Sequence, residues 1–141
     1  MNCGNSISKK IVELSHDAYE KDYGISVLRN FSVDLLKNCV MGEDIIVPDG
    51  GSRKNLADGI VSLYFHLHPA VVCKKKGNGV LIKTPEDKKM YFTHIGGYLS
   101  MEKSTYIGNF SEPQEIIKLV IKDHIKHNES KINWKLEEII D

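Results

Sequence analysis

The chain is a succession of short runs in which apolar and polar residues alternate, each ended by turn-forming residues. The run from Ile25 to Val33 shows the alternation, and Lys76 to Gly79 between two further runs has the composition of a hairpin turn. A period of two places successive side chains on opposite faces of a β-strand, and a short glycine-containing loop joins antiparallel neighbours. About ten such runs predict an all-β fold, an antiparallel β-sandwich of about ten short strands.

Proline, glycine and loop residues predict several of the strand boundaries. The strongest strand is predicted from Ile60 to His68, where Pro69 ends it. The run from Cys39 to Val47 is expected to be interrupted at Gly42 to Asp44, and Pro48 to Arg53 is the clearest loop. Tyr98 to Met101 and Thr105 to Ile107 are predicted as separate strands.

One stretch, Glu115 to His127, fits two kinds of secondary structure. A helical face would consist of Ile116, Ile117, Val120, Ile121 and His124, but β-branched residues dominate the stretch and strands surround it. We therefore predict a strand.

Length and charge limit the possible functions. The chain has 141 residues, of which 41% are apolar, so a single domain over residues 1–141 can bury a core. Lys plus Arg equals Asp plus Glu, 19 against 19, which gives no general attraction to nucleic acid. No apolar run reaches the roughly 18 residues that a membrane span requires, and no signal peptide is visible in Met1 to Lys10.

The three cysteines do not form a recognisable framework. Their number is odd, and the spacing of Cys3, Cys39 and Cys73 differs from known zinc patterns. Cys39 and Cys73 lie in apolar runs and are expected to be buried, reduced thiols.

The most distinctive string is Tyr64 to Pro69. In a strand, Tyr64, His66 and His68 share one face, while Leu63, Phe65 and Leu67 face the core. Two imidazoles at this spacing fit a metal site, a pair facing a groove or partner surface, or a purely structural pair. Zinc requires a third or fourth ligand, and the sequence does not place Asp58, His94 or Glu102 nearby. We assign no metal and no cofactor.

Other motifs have structural explanations. His16 and Asp17 are adjacent, so in a strand they would point to opposite faces, and a turn explains them better than a general base. Residues 48–54 lack the spacing and the helix of a phosphate loop. Lys74 to Lys76 is expected to be a solvated turn that protects a strand edge, with weak contact to an acidic sugar as the alternative. Trp134 is expected in the core rather than stacked on a sugar. No catalytic residue is assigned.

Taken in order, several strings resemble the C-terminal β region of bacterial heparinase II/III-like proteins, from about residue 11 onward. The specific ones are Phe65 to Pro69 and Met101 to Gly108. The supporting ones are Ser15 to Tyr19, Tyr23 to Ile25, Arg29, Gly42 to Asp44, Gly79 to Ile82, Gly96-Gly97 and Trp134. Ala18 stands where the family usually has glycine, and Val27-Leu28-Arg29 keeps only one arginine of the family's basic string.

The resemblance implies a β-sandwich that, in full-length relatives, packs beside a helical toroid. Those relatives cleave acidic polysaccharides by β-elimination, which needs a base, an anion-stabilising group and an acid. The family's catalytic residues lie mainly on the toroid, and its metal-ligand string is absent here. No catalytic or zinc role is therefore transferred to His66 or His68. The candidate substrate- or partner-facing residues are His66, His68, Arg29 and Tyr64.

Three hypotheses follow. The first is a lyase-family fragment or accessory domain, inactive alone and incomplete at its N-terminal side, whose partner is a separate helical toroid or an acidic polysaccharide. The second is a carbohydrate-binding sandwich, and the third is a small metal-binding β-barrel that uses His66 and His68. The resemblance implies the periplasm or cell envelope. A truncated sandwich would also expose an apolar surface near Lys10 to Leu14.

Overall fold

The computed structural model of the chain describes residues 9–16, 25–48, 59–108, 112–126 and 128–140, and for residues 9–16 it describes the backbone alone. None of these residues forms a helix that could cross a membrane. Their regular structure consists of strands, which are β1 (Lys9–His16), β2 (Ile25–Asp34), β3 (Cys39–Pro48), β4 (Ile60–His66), β5 (Val72–Lys76), β6 (Gly79–Lys83), β7 (Lys89–Ile95), β8 (Tyr98–Tyr106), β9 (Gln114–His124) and β10 (Ser130–Ile139).

The strands form two antiparallel sheets. A seven-stranded sheet has the order β1-β2-β3-β10-β7-β6-β5, and a three-stranded sheet has the order β4-β9-β8. Apolar side chains of both sheets meet in one core. The predicted all-β antiparallel sandwich is therefore confirmed.

The β5–β6 hairpin has the turn that its sequence predicts. Lys76 pairs with Gly79, so the loop is Gly77-Asn78, and Gly77 has a positive φ of 59°. A residue with a side chain adopts this left-handed conformation at a cost that glycine does not pay. The Tyr91 hydroxyl also donates a 2.8 Å hydrogen bond to the Lys76 carbonyl, which holds the turn against β7.

The ambiguous stretch is a strand, β9, as predicted. Leu119, Val120 and Ile121 are all fully buried although neighbouring side chains point to opposite faces. β9 is the central strand of its sheet, so side chains of β4 and β8 flank it on both sides, and the burial of these three residues shows that both faces are covered at this point. A strand covered on both faces has an unbroken apolar sequence, and this explains why alternation is weak here.

Three predicted boundaries are wrong. β3 runs without interruption through Gly42 to Asp44, and Tyr98–Tyr106 is one strand. β4 ends at His66 rather than His68. Position 42 of β3 is a glycine because a β-carbon there would lie 2.1 Å from the Trp134 ring, so only glycine leaves room for the indole.

Trp134 is buried at the centre of the core, as predicted. Its ring centroid lies 5.0 Å from that of Phe65, 5.8 Å from that of Phe31 and 6.3 Å from that of Phe92. Phe65 belongs to the three-stranded sheet and the other rings to the seven-stranded sheet, so the aromatic cluster joins the two layers.

A buried carboxylate completes this arrangement. Asp44 is fully buried, its Oδ2 accepts a 3.1 Å hydrogen bond from the Trp134 indole N–H, and its Oδ1 accepts a hydrogen bond from Arg29 Nε. A buried carboxylate is tolerated when charge and hydrogen-bonding capacity are both matched. The contacts connect β2, β3 and β10 on the inner side of the sheet.

Several sequence predictions fall outside the described residues. They are the loop after Pro48, the turn between Asp17 and Gly24, the state of Cys3, and the apolar surface expected from the side chains of Lys10 to Leu14.

We expect Asp44→Ala to lower the free energy of unfolding by about 3–5 kcal/mol, since it leaves the indole N–H and the Arg29 charge without their buried partner. Glu43→Ala is the matched control, because Glu43 lies on the opposite side of β3, and we expect a change below about 1 kcal/mol. Urea denaturation followed by Trp134 fluorescence measures both. Equal effects of the two substitutions would show that the Asp44 contacts do not stabilise the fold.

Candidate functional surface

The candidate residues of β4 lie on the outer face of the three-stranded sheet. Leu63 is buried and Phe65 packs in the core, whereas Tyr64 and His66 are exposed, as the period of two predicts. His68, just after the strand, is exposed as well. Register then adds neighbours: His66 pairs with Lys118, which pairs with Glu102. We call this the outer face, made of Tyr64, His66, His68, Tyr98, Glu102, Tyr106, Lys118 and Lys122.

A tyrosine, a histidine and a lysine adjoin one another at the β4 side of the outer face. Lys118 Nζ lies 4.8 Å from the Tyr64 ring centroid, and the Tyr64 and His66 centroids are 6.5 Å apart. Tyr64 remains 52% exposed. An ammonium over an aromatic face is attracted to the ring, and the contact orients Lys118 beside His66.

His68 has a different environment from His66. Its Nδ1 accepts a 3.1 Å hydrogen bond from the Ala70 N–H, and its carbonyl accepts one of 3.1 Å from the Val71 N–H. Acceptance at Nδ1 corresponds to the neutral imidazole with the proton on Nε2. The ring lies 6.0 Å from that of Tyr106. His68 therefore holds the turn after β4 while the residue stays exposed.

A small cleft of about 90 Å³ opens beside His68. It is lined by Leu67, His68, Pro69, Val71 and Glu115 to Ile117. The lining combines apolar side chains with one imidazole and one carboxylate. The volume is well below the several hundred Å³ of typical small-molecule sites, so the outer face is a surface for contact rather than an enclosed pocket.

Basic groups exceed acidic ones on the outer face. Lys118 and Lys122 are set against Glu102, whose Oε2 lies 3.8 Å from Lys122 Nζ and accepts a 3.2 Å hydrogen bond from Ser100 Oγ. Exposed ion pairs of this kind are weak and screened by salt. One positive charge therefore remains on the outer face beside three tyrosines.

In the described part of the chain, metal ligands do not gather around the two histidines. Lys118 lies between His66 and Glu102 in the paired row. His94 belongs to the other sheet, and its Nδ1 is 2.8 Å from the Gly96 carbonyl oxygen. Among the described residues no cluster of three His, Cys, Asp or Glu side chains could hold an ion. The described strands also form two separate sheets rather than a barrel. Asp58 lies outside the described residues.

Arg29 is separated from the other candidates. It lies on β2 of the seven-stranded sheet and is held by the buried Asp44 on the inner side, with its guanidinium carbon 5.7 Å from the Phe31 centroid. The side chain is 37% exposed. The structure thus brings Tyr64, His66 and His68 to one face and leaves Arg29 between the layers.

Lys118 and Tyr106 are neighbours of the histidines that sequence reasoning did not single out. Alternation along β8 and β9 places them on one face of each strand. Which residue of β9 meets His66 depends on the register between strands about 50 residues apart, and a single sequence does not determine this register.

The two described cysteines have no reactive environment. Cys39 is buried and Cys73 half-buried, and both are free thiols. Burial raises the pKa of the Cys73 thiol. Burial, and then the nearby Glu137 carboxylate, raise the pKa of Cys39. A raised pKa lowers the thiolate fraction near neutral pH, which opposes nucleophilic catalysis.

Comparison with known families gives one match over almost the whole chain. The model of the family described as heparinase II/III-like, C-terminal, matches residues 4–135. No curated protein matches the chain in sequence.

Three solved structures of similar fold are a heparan sulfate lyase and two heparinases III. Heparan sulfate lyase HepC from Pedobacter heparinus superposes with a TM-score of 0.73 at 10% identity, over 95% of this chain and 20% of that chain. A heparinase III structure gives a TM-score of 0.72 at 13% identity, over 94% of this chain and 20% of that chain. The BT4657 heparinase III gives 0.71 at 10% identity over the same shares. At these identities the likeness establishes the fold. This chain spans about a fifth of the length of those structures.

We expect both described thiols to be alkylated at least about tenfold more slowly in the folded chain than in urea, with a rate that rises at higher pH than for a free thiol. The sign follows from the raised pKa values, because fewer thiolates are present at any given pH below them. Iodoacetamide labelling between pH 7 and pH 10 with peptide mass spectrometry measures each cysteine, including Cys3, separately. Rates equal to those of the unfolded chain would contradict this expectation.

Proposed function

The chain belongs to the heparinase II/III-like C-terminal family, and from that premise we propose that it is a non-catalytic accessory domain of a polysaccharide lyase. The complete enzyme would cleave acidic polysaccharides by β-elimination. Its base and acid would be carried by a helical toroid, on the same or a separate polypeptide. Such an enzyme would act in the periplasm or cell envelope.

The observation that carries the proposal is the separation of the candidate groups. Proton abstraction beside a uronate carboxylate needs a base, an anion-stabilising donor and a leaving-group acid close to the same sugar. Here His66 and His68 lie on the outer face, whereas Arg29 is held by Asp44 on the inner side of the other sheet. The described residues therefore supply a surface but not a convergent set of groups.

Size supports the same proposal. The chain covers about 20% of each structure that it resembles, so four-fifths of such a protein lies outside the matched region. The catalytic residues of a lyase of this kind are proposed to lie in that larger part. The domain would then contribute stability, orientation or substrate contact.

We expect the purified chain to release no unsaturated uronate from heparan sulfate, measured by absorbance of the unsaturated product near 232 nm. The positive control is a heparinase III at the same protein concentration. Turnover above the buffer rate that disappears in the double variant His66→Ala with His68→Ala would overturn the accessory role. Turnover that persists in the variant would overturn it as well, by placing catalytic groups elsewhere in the chain.

A second candidate function, carbohydrate binding by the outer face, is favoured by the exposed tyrosines. Tyr64 is 52% exposed beside His66, and Tyr98 is 79% exposed on the same face. A tyrosine ring offers a flat apolar surface with a polar tip, and Lys118 adds a charge beside Tyr64. An acidic sugar would stack on a ring while its carboxylate meets the ammonium group.

For this second function, we expect Tyr64→Ala and Lys118→Ala each to weaken binding of heparan sulfate at least about threefold at low salt, since each removes one of the contacts. Lys88→Ala is the matched control, because Lys88 is an exposed lysine in the turn between β6 and β7 of the other sheet. Isothermal titration calorimetry at two salt concentrations measures the affinities. Equal losses in all three variants would indicate attraction by overall charge and not a binding face.

A further inference from the structure

β4 is an edge strand of the three-stranded sheet. Along it, the backbone N–H and C=O groups point alternately toward β9 and toward the open side. The Leu67 N–H donates to the Ile117 carbonyl, and the Ile125 N–H donates to the Gly59 carbonyl. These pairs lie at the two ends of the β4–β9 ladder, so the odd-numbered residues of β4 bond with β9. The N–H and C=O groups of Ile60, Ser62, Tyr64 and His66 point to the open side, where no described strand lies.

The composition of β4 differs from that of the other strands at the sheet edges. β5 contains Lys74 to Lys76, β8 contains Glu102 and Lys103, and β1 contains two lysines and a glutamate. Charged residues on an edge strand oppose pairing with a further strand. β4, with the sequence IVSLYFH, contains no Asp, Glu, Lys, Arg, Pro or Gly. It is the edge among the described strands that lacks this protection.

The seven-stranded sheet, which packs against β4, extends past the edge that β4 forms. Val61 of β4 packs against a cluster formed by Ile25 of β2, Ile46 of β3 and Ile125. β2 and then β1 continue the seven-stranded sheet past this position. Val27 and Phe31 of β2 are only partly buried. A strand added next to β4 would lie over the inner face of β2 and cover these side chains.

We propose that β4 accepts an extended strand from the polypeptide that carries the rest of the lyase fold, which extends the three-stranded sheet over β2. The inference rests on the proposed accessory role and names the contact through which the domain joins its partner. Four residues of β4 offer outward pairs, enough for about eight backbone hydrogen bonds with one added strand. The added strand should alternate, with apolar side chains toward Val27 and Phe31.

A second copy of this chain fits the edge less well than a single added strand. Two copies joined antiparallel through β4 are related by a twofold axis perpendicular to the sheet, so both seven-stranded sheets lie in the same layer. Each of them extends past its own β4 by β2 and β1, and these strands would meet. A single strand from the remaining four-fifths of a lyase carries no second β1 and β2, so this clash does not arise.

The openness of the edge is measured on the isolated chain by amide hydrogen exchange with NMR detection. We expect the outward amides of Ser62, Tyr64 and His66 to exchange at least about tenfold faster than the inward amides of Leu63 and Phe65. Protection of the outward amides that is independent of protein concentration would show that the chain covers its own edge. Protection that rises with concentration would identify a second copy. Either result overturns the proposal.

The source of the strand that pairs with β4 is tested with overlapping synthetic peptides. They cover the four-fifths of Pedobacter heparinus HepC outside the matched region. We expect at least one peptide to slow exchange of the outward β4 amides about tenfold or more. The outward amides of β8, such as that of Thr105, should be unaffected. Lack of protection by every peptide would overturn the proposal.

Two proline variants make the test specific to the edge. Ser62→Pro removes an N–H that points to the open side of β4, so the β9 ladder is kept while strand addition is blocked. Thr105→Pro is the matched control, since the register assigns its N–H to the open side of β8. We expect Ser62→Pro to lose peptide binding at least about tenfold and Thr105→Pro to keep it, with circular dichroism confirming that both variants fold. Ser62→Lys provides a second block by charge. Binding that survives in Ser62→Pro and Ser62→Lys would disprove the edge contact.

The outcomes separate this inference from the proposed function. Lyase turnover by the chain alone would remove the accessory role without changing the exchange pattern of β4. A covered β4 edge would remove the strand contact and leave the accessory role to be tested by activity.

Discussion

The structure depends on the burial of Trp134 between two sheets of unequal width. Its ring contacts aromatic side chains of both layers, and its N–H donates to the fully buried Asp44. This arrangement requires glycine at position 42, because a β-carbon there would overlap the indole. Asp44 in turn requires Arg29, since an unpaired buried carboxylate is costly. One large side chain thus explains two features that are unusual in a β-sheet, the glycine within β3 and the charged pair between β2 and β3.

The unequal widths of the sheets determine which surfaces are available. The central strand of the narrow sheet, β9, is covered on both faces around Val120. Its neighbours β4 and β8 remain at the edges, and their outward side chains form the outer face with the histidines and tyrosines. The same geometry leaves the inner face of β2 only partly covered. The candidate contact surfaces therefore follow from the architecture and not from a pocket.

The family relationship and the local chemistry bear on different questions. The family model covers residues 4–135, and the solved neighbours establish the fold at 10–13% identity. A fold does not assign an activity, because function depends on the groups that a site brings together. His66 and His68 differ in this respect, since His68 holds a turn through Nδ1 whereas His66 adjoins Lys118 and Tyr64.

The sequence by itself determined the all-β class, the β5–β6 hairpin, the buried Trp134 and the exposed face of Tyr64, His66 and His68. These features depend on local alternation and turn chemistry, which neighbouring residues encode. Tertiary structure decided the continuity of β3. Gly42 and Asp44 fit within this strand because both adjoin Trp134, which lies about 90 positions away in the sequence. It also decided that Arg29 lies apart from the histidines and that Lys118 lies beside them. Register between distant strands follows from packing of the whole core, and the residues of a single strand do not encode it.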